Sequence, residues 1–307
     1  MLPIKLKIPE GFLEEEERNG YTVSREMKEL WAVSLDLIRE ILEACEAKGI
    51  KVFAGYGTLL GAVRHGGFIP WDNDSDLFMM REDYERFLRE TEFKAPYFLQ
   101  TEETDAGFSR AFARLRNSDT TCIQAYEKDL NIPYNQGVFV DIFPLDYMPD
   151  DREVRAAFGR DMLTLRNKAM FWSAFTYRSE KKRSGLSAKQ HAMRIISKVS
   201  MPLLRALSIR NPYIRKMEKI GREAGKTSTV GERWFYKPEE DIGSWPAEYF
   251  SNTVTKPFEM LEIPVPAEYE KVLEGLFGDW RTPVMAADDH GELIFDCHKP
   301  YREYLPD

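Results

Sequence analysis

Cysteine is scarce in this 307-residue chain. The three present, Cys45, Cys122 and Cys297, are odd in number and far apart, and no C-x-x-C pair occurs. That pattern argues against a disulfide framework and fits free or buried thiols in a reducing compartment. Long apolar runs are also lacking. No segment approaches the roughly 18 to 20 uncharged apolar residues a membrane span needs, and residues 1–17 are acidic, without the basic start and apolar core of a signal peptide. The expected location is therefore cytoplasmic, with the inner membrane surface as the place of any membrane contact. Histidine is rare as well, at four residues, and Asp296-Cys297-His298 with His290 upstream makes at most half a zinc site. No internal repeat and no low-complexity segment occurs.

What is present is charge, unevenly placed. The net charge is -8, yet residues 152–233 hold 20 Lys and Arg against 6 Asp and Glu, a local +14 that leaves -22 on the remainder. A basic middle set into an acidic protein points to an anionic partner: a phosphate-rich polymer, a substrate or a membrane surface.

Helical spacing of Leu30, Val33, Leu37, Ile41 and Leu42 predicts a helix over 24–48, capped by Ser24 and ended by Gly49. A buried strand over 50–54, a glycine turn over 55–58, a short helix over 59–64 and a loop over 65–71 follow. Helix is expected again over 82–90, and strands over 97–102, 108–116, 121–126 and 138–143. Together these give an α+β fold: a mixed β-sheet core with flanking helices over 1–150. Residues 151–226 read as a basic helical subdomain broken at Ser184-Gly185, Pro202 and Asn211-Pro212, and 227–307 as a C-terminal part packing on the core, with one helix over 267–277.

Three separated motifs carry chemistry. The first, Gly67-Phe-Ile-Pro-Trp-Asp-Asn-Asp-Ser-Asp76, sets Asp72, Asp74 and Asp76 on alternate residues, so an extended chain would turn them to one face. Like charges that close need a counter-ion, most simply a divalent metal. An EF-hand is excluded, because its sixth and twelfth places hold Leu77 and Asp83 rather than glycine and glutamate. The second motif, Tyr56-Gly57-Thr58 leading into the short helix, offers free amides to a phosphate. In the third, Asp141 lies among apolar residues on a predicted strand, where an ionised carboxylate needs a metal, a basic partner or a proton. Paired across the sheet with Asp74 and Asp76 it would complete a metal site; a buried salt bridge to arginine is the alternative.

Arg110, Arg114 and Arg116 alternate along the strand expected over 108–116, a row suited to phosphate oxygens or to structural ion pairs. Arg64 and His65 end the short helix as weaker phosphate candidates. Residues 193–210 interleave apolar side chains with Arg194, Lys198, Arg205 and Arg210, the composition of an amphipathic helix on an anionic membrane or against a protein core.

The order helix, strand, Gly-Thr turn, short helix, acidic strand and later Asp strand resembles the nucleotidyltransferase superfamily. The wording of Tyr56 to His65, Gly67 to Asp76, Arg114 to Thr121 and Val140 to Asp146 is similar to the LicD family, which includes phosphocholine transferases and fukutin-like ribitol-phosphate transferases. The tail Phe295 to Tyr301 is similar more weakly, and Asn73 stands where an acid is common in the family.

The resemblance implies transfer of a phosphorylated alcohol, phosphocholine or an alditol phosphate, from a CDP-activated donor to a hydroxyl of a cell-surface glycan, lipid-linked or free, with CMP leaving. It implies Mg2+, or Mn2+ in its place, and no nucleic-acid partner. Carried over residue by residue, Asp74 and Asp76 would hold the metal, and Asp141 would complete the site or take the acceptor proton. Asp72 would support them, Gly57 and Thr58 would hold donor phosphates, and Arg114 and Arg116 would stabilise the transferring group. Two other readings share the fold: transfer of a nucleotidyl group to a small molecule, and a binding protein without turnover.

Overall fold

The computed structural model describes residues 1–105, 107–124, 127, 134–176, 210–284 and 293–304. The first long element is α1 (Arg25–Lys48), capped as its sequence predicts. The Ser24 side chain accepts from the Met27 amide, and Gly49 closes the helix in the left-handed conformation at φ 60°. Before α1, β1 (Glu16–Arg18) and β2 (Tyr21–Val23) form a hairpin.

A seven-stranded mixed sheet organises the rest. Its strands are β3 (Phe53–Ala54), β4 (Asp76–Met80), β5 (Tyr97–Gln100), β6 (Ala113–Asn117), β8 (Val138–Met148), β9 (Thr229–Glu232) and β10 (Ser244–Pro246). The long β8 is the axis. It pairs parallel with β4 on one edge, while the other edge takes β6 along its first half and β9 along its second, both antiparallel. Such a strand is buried on both faces and reads as a nearly continuous apolar run, Val138 to Leu145, interrupted by Asp141. A separate pair joins β7 (Thr121–Gln124) to β13 (Leu293–Asp296), and β11 (Thr253–Phe258) with β12 (Leu261–Pro266) forms a hairpin.

The helices α2 (Tyr56–Arg64), α3 (Arg81–Glu90), α4 (Arg152–Thr176), α5 (Pro212–Glu223) and α6 (Tyr269–Phe277) complete the described elements with two short 3-10 turns. Asp146 on β8 ties two of them to the sheet. Its buried carboxylate takes a bidentate contact from Arg81 of α3, at 2.7 and 3.0 Å, and a further bond from Arg233, whose guanidinium also reaches the Met217 carbonyl of α5. Burial alone would raise the Asp146 pKa, but the two guanidinium groups hold it below the ordinary carboxylate value.

Several expectations are corrected. The strand expected over 108–116 begins only at Ala113, so Arg110 lies before β6 and outside the row with Arg114 and Arg116. The turn expected over 55–58 is already helical from Tyr56, because Gly55 serves as the N-cap. Of the acidic run only Asp76 enters a strand, and residues 72–75 lie in the irregular segment before it. The sheet does not stop near residue 150: β9 and β10 join it from the C-terminal part, their pattern too short to show a partner. The helical breaks at Ser184-Gly185 and Pro202, most of the amphipathic stretch 193–210, and His290 lie outside the described residues. No helix among the described residues is long and apolar enough to cross a membrane.

Candidate active site

The parallel pairing of β4 and β8 sets Asp76 opposite Asp141, and the antiparallel pairing of β6 sets Arg114 opposite Asp141. Three residues distant in sequence thus share one line across three strands. The register is fixed at the acids, because the Asp141 amide donates to the Ser75 carbonyl at 2.9 Å.

α2 is fastened to the same point. The Asp76 amide donates to the Thr58 hydroxyl at 2.8 Å, and the Gly55 amide donates to the Asp76 carbonyl at 2.9 Å. Gly57 and Thr58 therefore occupy the first turn of α2, where backbone amides have no partner within the helix. Gly57 has a steric reason to be glycine: a Cβ there would overlap the Asp72 carboxylate. Gly57→Ala should displace Asp72 and cost about 100-fold in turnover, since a misplacement near 1 Å can cost that much. A thermal melt close to that of the parent chain would assign the loss to the site rather than to the fold.

Asp72 itself is held from several sides. Its carbonyl accepts the Trp31 indole N–H at 3.0 Å, and its carboxyl hydrogen-bonds Asp74. The loop before it is pinned by Glu259, which accepts the Phe68 amide at 3.0 Å and pairs with Arg18 through both oxygens. Phe68 stacks on Trp31 with ring centroids 4.7 Å apart.

Burial pushes the Asp72 carboxyl well above the ordinary range, with Asp74 adding to it. Asp76 is pushed up in the same way, by burial first and then by Asp74, Asp141 and Asp72. Negative charge is therefore incompletely balanced where the acids meet. Among the described residues no group of three or more His, Cys, Asp or Glu is arranged to hold a metal. The donors present still fit a small hard cation, because Mg2+ is commonly held by one or two carboxylates and completed by substrate phosphates and water.

Asp141 has a different neighbourhood. Both its oxygens accept from Arg114, from Nε and, at 3.0 Å, from Nη2, which is the buried salt bridge anticipated as the alternative. Each oxygen keeps a second lone pair, so a metal ligand role is not closed. Arg114 lies over the Phe139 ring at 3.7 Å from its centroid, and its Nη1 is buried without a hydrogen-bond partner. Ser75 Oγ is buried and unpartnered too. Such orphans are uncommon in native interiors, and a water, an ion or a ligand completes the bonding at such places.

The other predicted arginines are occupied elsewhere. Arg116 donates to Gln100 and to the Gly137 carbonyl, both at 2.5 Å, and burial lowers its pKa to about 10. Arg110 pairs with Glu127 at 2.9 Å. Arg64, at the far end of α2 from Gly57, donates to the Trp280 carbonyl at 2.8 Å. Among the described residues Asp296, Cys297 and His298 gather no metal-binding group, and His298 contacts Glu29 at 2.8 Å.

Residues 49–175 match the model of the LicD/FKTN/FKRP nucleotidyltransferase domain. The chain carries a LicD-family domain. It is 28% identical to the lipopolysaccharide cholinephosphotransferase LicD of Haemophilus influenzae over 271 residues, covering 83% of this chain and 91% of that protein. Shorter stretches match the human ribitol 5-phosphate transferase FKRP, 47% identical over 15% of this chain and 9% of that protein, and an uncharacterized protein of Rickettsia prowazekii, 40% identical over 23% and 26%.

The structure also gives Ser75, Tyr56 and Glu232 surroundings that the motifs did not announce. Ser75 stood in the sequence only as a spacer between acids. Tyr56 opens α2 with φ 37°, a left-handed conformation that costs a non-glycine residue and persists only when its surroundings fix it. They do: its ring packs edge-on to Phe78 and Phe143, and its hydroxyl donates to Glu232 of β9 at 3.0 Å. Burial raises Glu232 to about 7, while the Trp234 and Phe235 amides donate to it at 2.6 and 2.7 Å. Glu232 lies 176 residues from Tyr56, and no local pattern marks it.

Proposed function

We propose that this protein moves a phosphorylated alcohol, phosphocholine or an alditol phosphate, from a CDP-activated donor to a hydroxyl of a cell-surface glycan, releasing CMP. The observation that carries this reading is the line Asp76, Asp141 and Arg114 beside the first turn of α2. Carboxylates for a cation, a fixed guanidinium with an unpaired Nη1 and open helix amides together suit a diphosphate. The activities named for the LicD and FKRP relatives support the same class.

Asp74 and Asp76 would hold Mg2+, or Mn2+ in its place, and the bound ion would neutralise charge on the diphosphate. The first-turn amides of α2, at Gly57 and Thr58, would take further phosphate oxygens. Asp141 fixes the Arg114 guanidinium in plane, leaving Nη1 to bond a non-bridging oxygen of the transferring phosphoryl group. The acceptor oxygen bonds to the distal phosphorus as its proton passes to Asp141, and the bond from that phosphorus to the bridging oxygen breaks with its electron pair going to CMP. Asp72 holds Asp74 in place.

Arg114→Lys should lower turnover about 100-fold, because a point charge cannot reproduce the planar pairing with Asp141 and the unpaired Nη1 together. The reaction class is tested by CMP release from CDP-choline, CDP-ribitol and CDP-glycerol with Mg2+ and with EDTA. Release that depends on the metal and on one donor is expected; no release from any of them would remove the proposal.

A further inference from the structure

Among the cavities that the chemistry above does not use, one borders α5. It measures 530 Å³ and lies between α3, the end of β5, the segment before β6 and α5. Arg110, Arg215, Lys216, Lys219 and Arg222 line it, against the acids Glu102, Glu103 and Glu218. Arg110, Lys219 and Arg222 are paired with Glu127, Glu223 and Glu85. Arg215 and Lys216 are exposed and make no ion pair among the described residues.

A second observation comes from the wall. Glu102 Oε1 is buried with no hydrogen-bond partner, and burial pushes that carboxyl up to about 7. The Glu102 carboxyl takes the Asn211 amide and lies in the field of Arg210 and Arg215, so its unbonded oxygen has room for one further donor such as a sugar hydroxyl.

The cavity also adjoins the reacting line. Phe112 forms part of its wall and lies 5.7 Å from the Arg114 guanidinium carbon. Arg110 and Arg114 share the Phe108 ring, at 5.4 and 5.8 Å from its centroid.

We propose that this cavity is the acceptor subsite and takes a phosphate-bearing sugar, with Arg215 and Lys216 pairing the phosphate and Glu102 bonding a sugar hydroxyl. The word acceptor rests on the transferase reading; the binding of a sugar phosphate does not. The basic excess of the middle of the chain then has a local purpose, since α5 brings its unpaired cations to the edge of the site.

The test is calorimetric titration of the full chain with N-acetylglucosamine 6-phosphate, N-acetylglucosamine, inorganic phosphate and CMP. The parent chain should bind the sugar phosphate at least about tenfold more tightly than the sugar or phosphate alone. R215A/K216A should lose about tenfold for the sugar phosphate with CMP affinity and melting temperature held, and Glu102→Gln should lose the preference for sugar phosphate over phosphate. Equal affinity in R215A/K216A, or no preference for the sugar phosphate in the parent chain, would overturn the assignment. Sugar-phosphate binding without transfer from any CDP-alcohol would leave the cavity standing and remove the reaction alone.

Discussion

Asp76→Asn is expected to lower transfer by at least about 1,000-fold while raising the melting temperature. The two effects have one cause. Asp76 is buried at the head of β4, with Asp72, Asp74 and Asp141 near enough to push its carboxyl well above the ordinary range. Removing the charge relieves that repulsion, on the order of 1 kcal/mol in the metal-free chain, because buried like charges oppose folding. The same change removes a carboxylate proposed to hold the cation, and losing a preorganised electrostatic contact to a diphosphate costs orders of magnitude in rate. The checks are initial rates of CMP release and calorimetric melting in EDTA. A variant that is both inactive and markedly less stable would show that Asp76 is structural.

Asp146→Ala should do the opposite, costing about 3 kcal/mol of stability, the low end for a broken buried pair, because Arg81 and Arg233 lose their fully buried anion but keep Glu218. Urea unfolding at neutral pH measures it, with a midpoint shift at nearly unchanged slope. The pH dependence has a definite sign. The folded Asp146 pKa lies below its ordinary value, so its contribution is complete above the unfolded carboxylate pKa of about 3.9 and is lost as pH falls toward the folded value. The parent chain should therefore lose stability on acidification below about pH 4 more steeply than Asp146→Ala, whose difference from the parent shrinks there.

The two aspartates show what the sequence makes legible. Asp76 announced itself through alternation with Asp72 and Asp74 and through the glycine turn upstream, all within one short stretch. Local features of this kind also located α1, with its cap at Ser24 and its end at Gly49. Asp141 was visible as a lone acid in an apolar strand, but its partner was not, since a metal and an arginine satisfy the same burial penalty. Only the register of β6 against β8 shows that Arg114 takes both its oxygens.

Alternation also misled. Arg110, Arg114 and Arg116 share a spacing of two, yet Arg110 precedes the strand and pairs with Glu127, and Arg116 serves Gln100 and the Gly137 carbonyl. Periodicity specifies a face only where the chain is a strand. Glu232 was invisible, because its partner Tyr56 lies across the sheet and the strand that carries it is four residues long. Long-range pairing set the details that local pattern could not.

The central claim is that the distal phosphorus of a CDP-alcohol moves while the proximal one leaves. It is tested most directly by giving the full chain a glycan acceptor, Mg2+ and CDP-choline or CDP-ribitol labelled separately at each phosphorus. The distal label is expected on the acceptor and the proximal label in CMP. Proximal label on the acceptor, carried with cytidine, would contradict it and identify a nucleotidyl transfer instead.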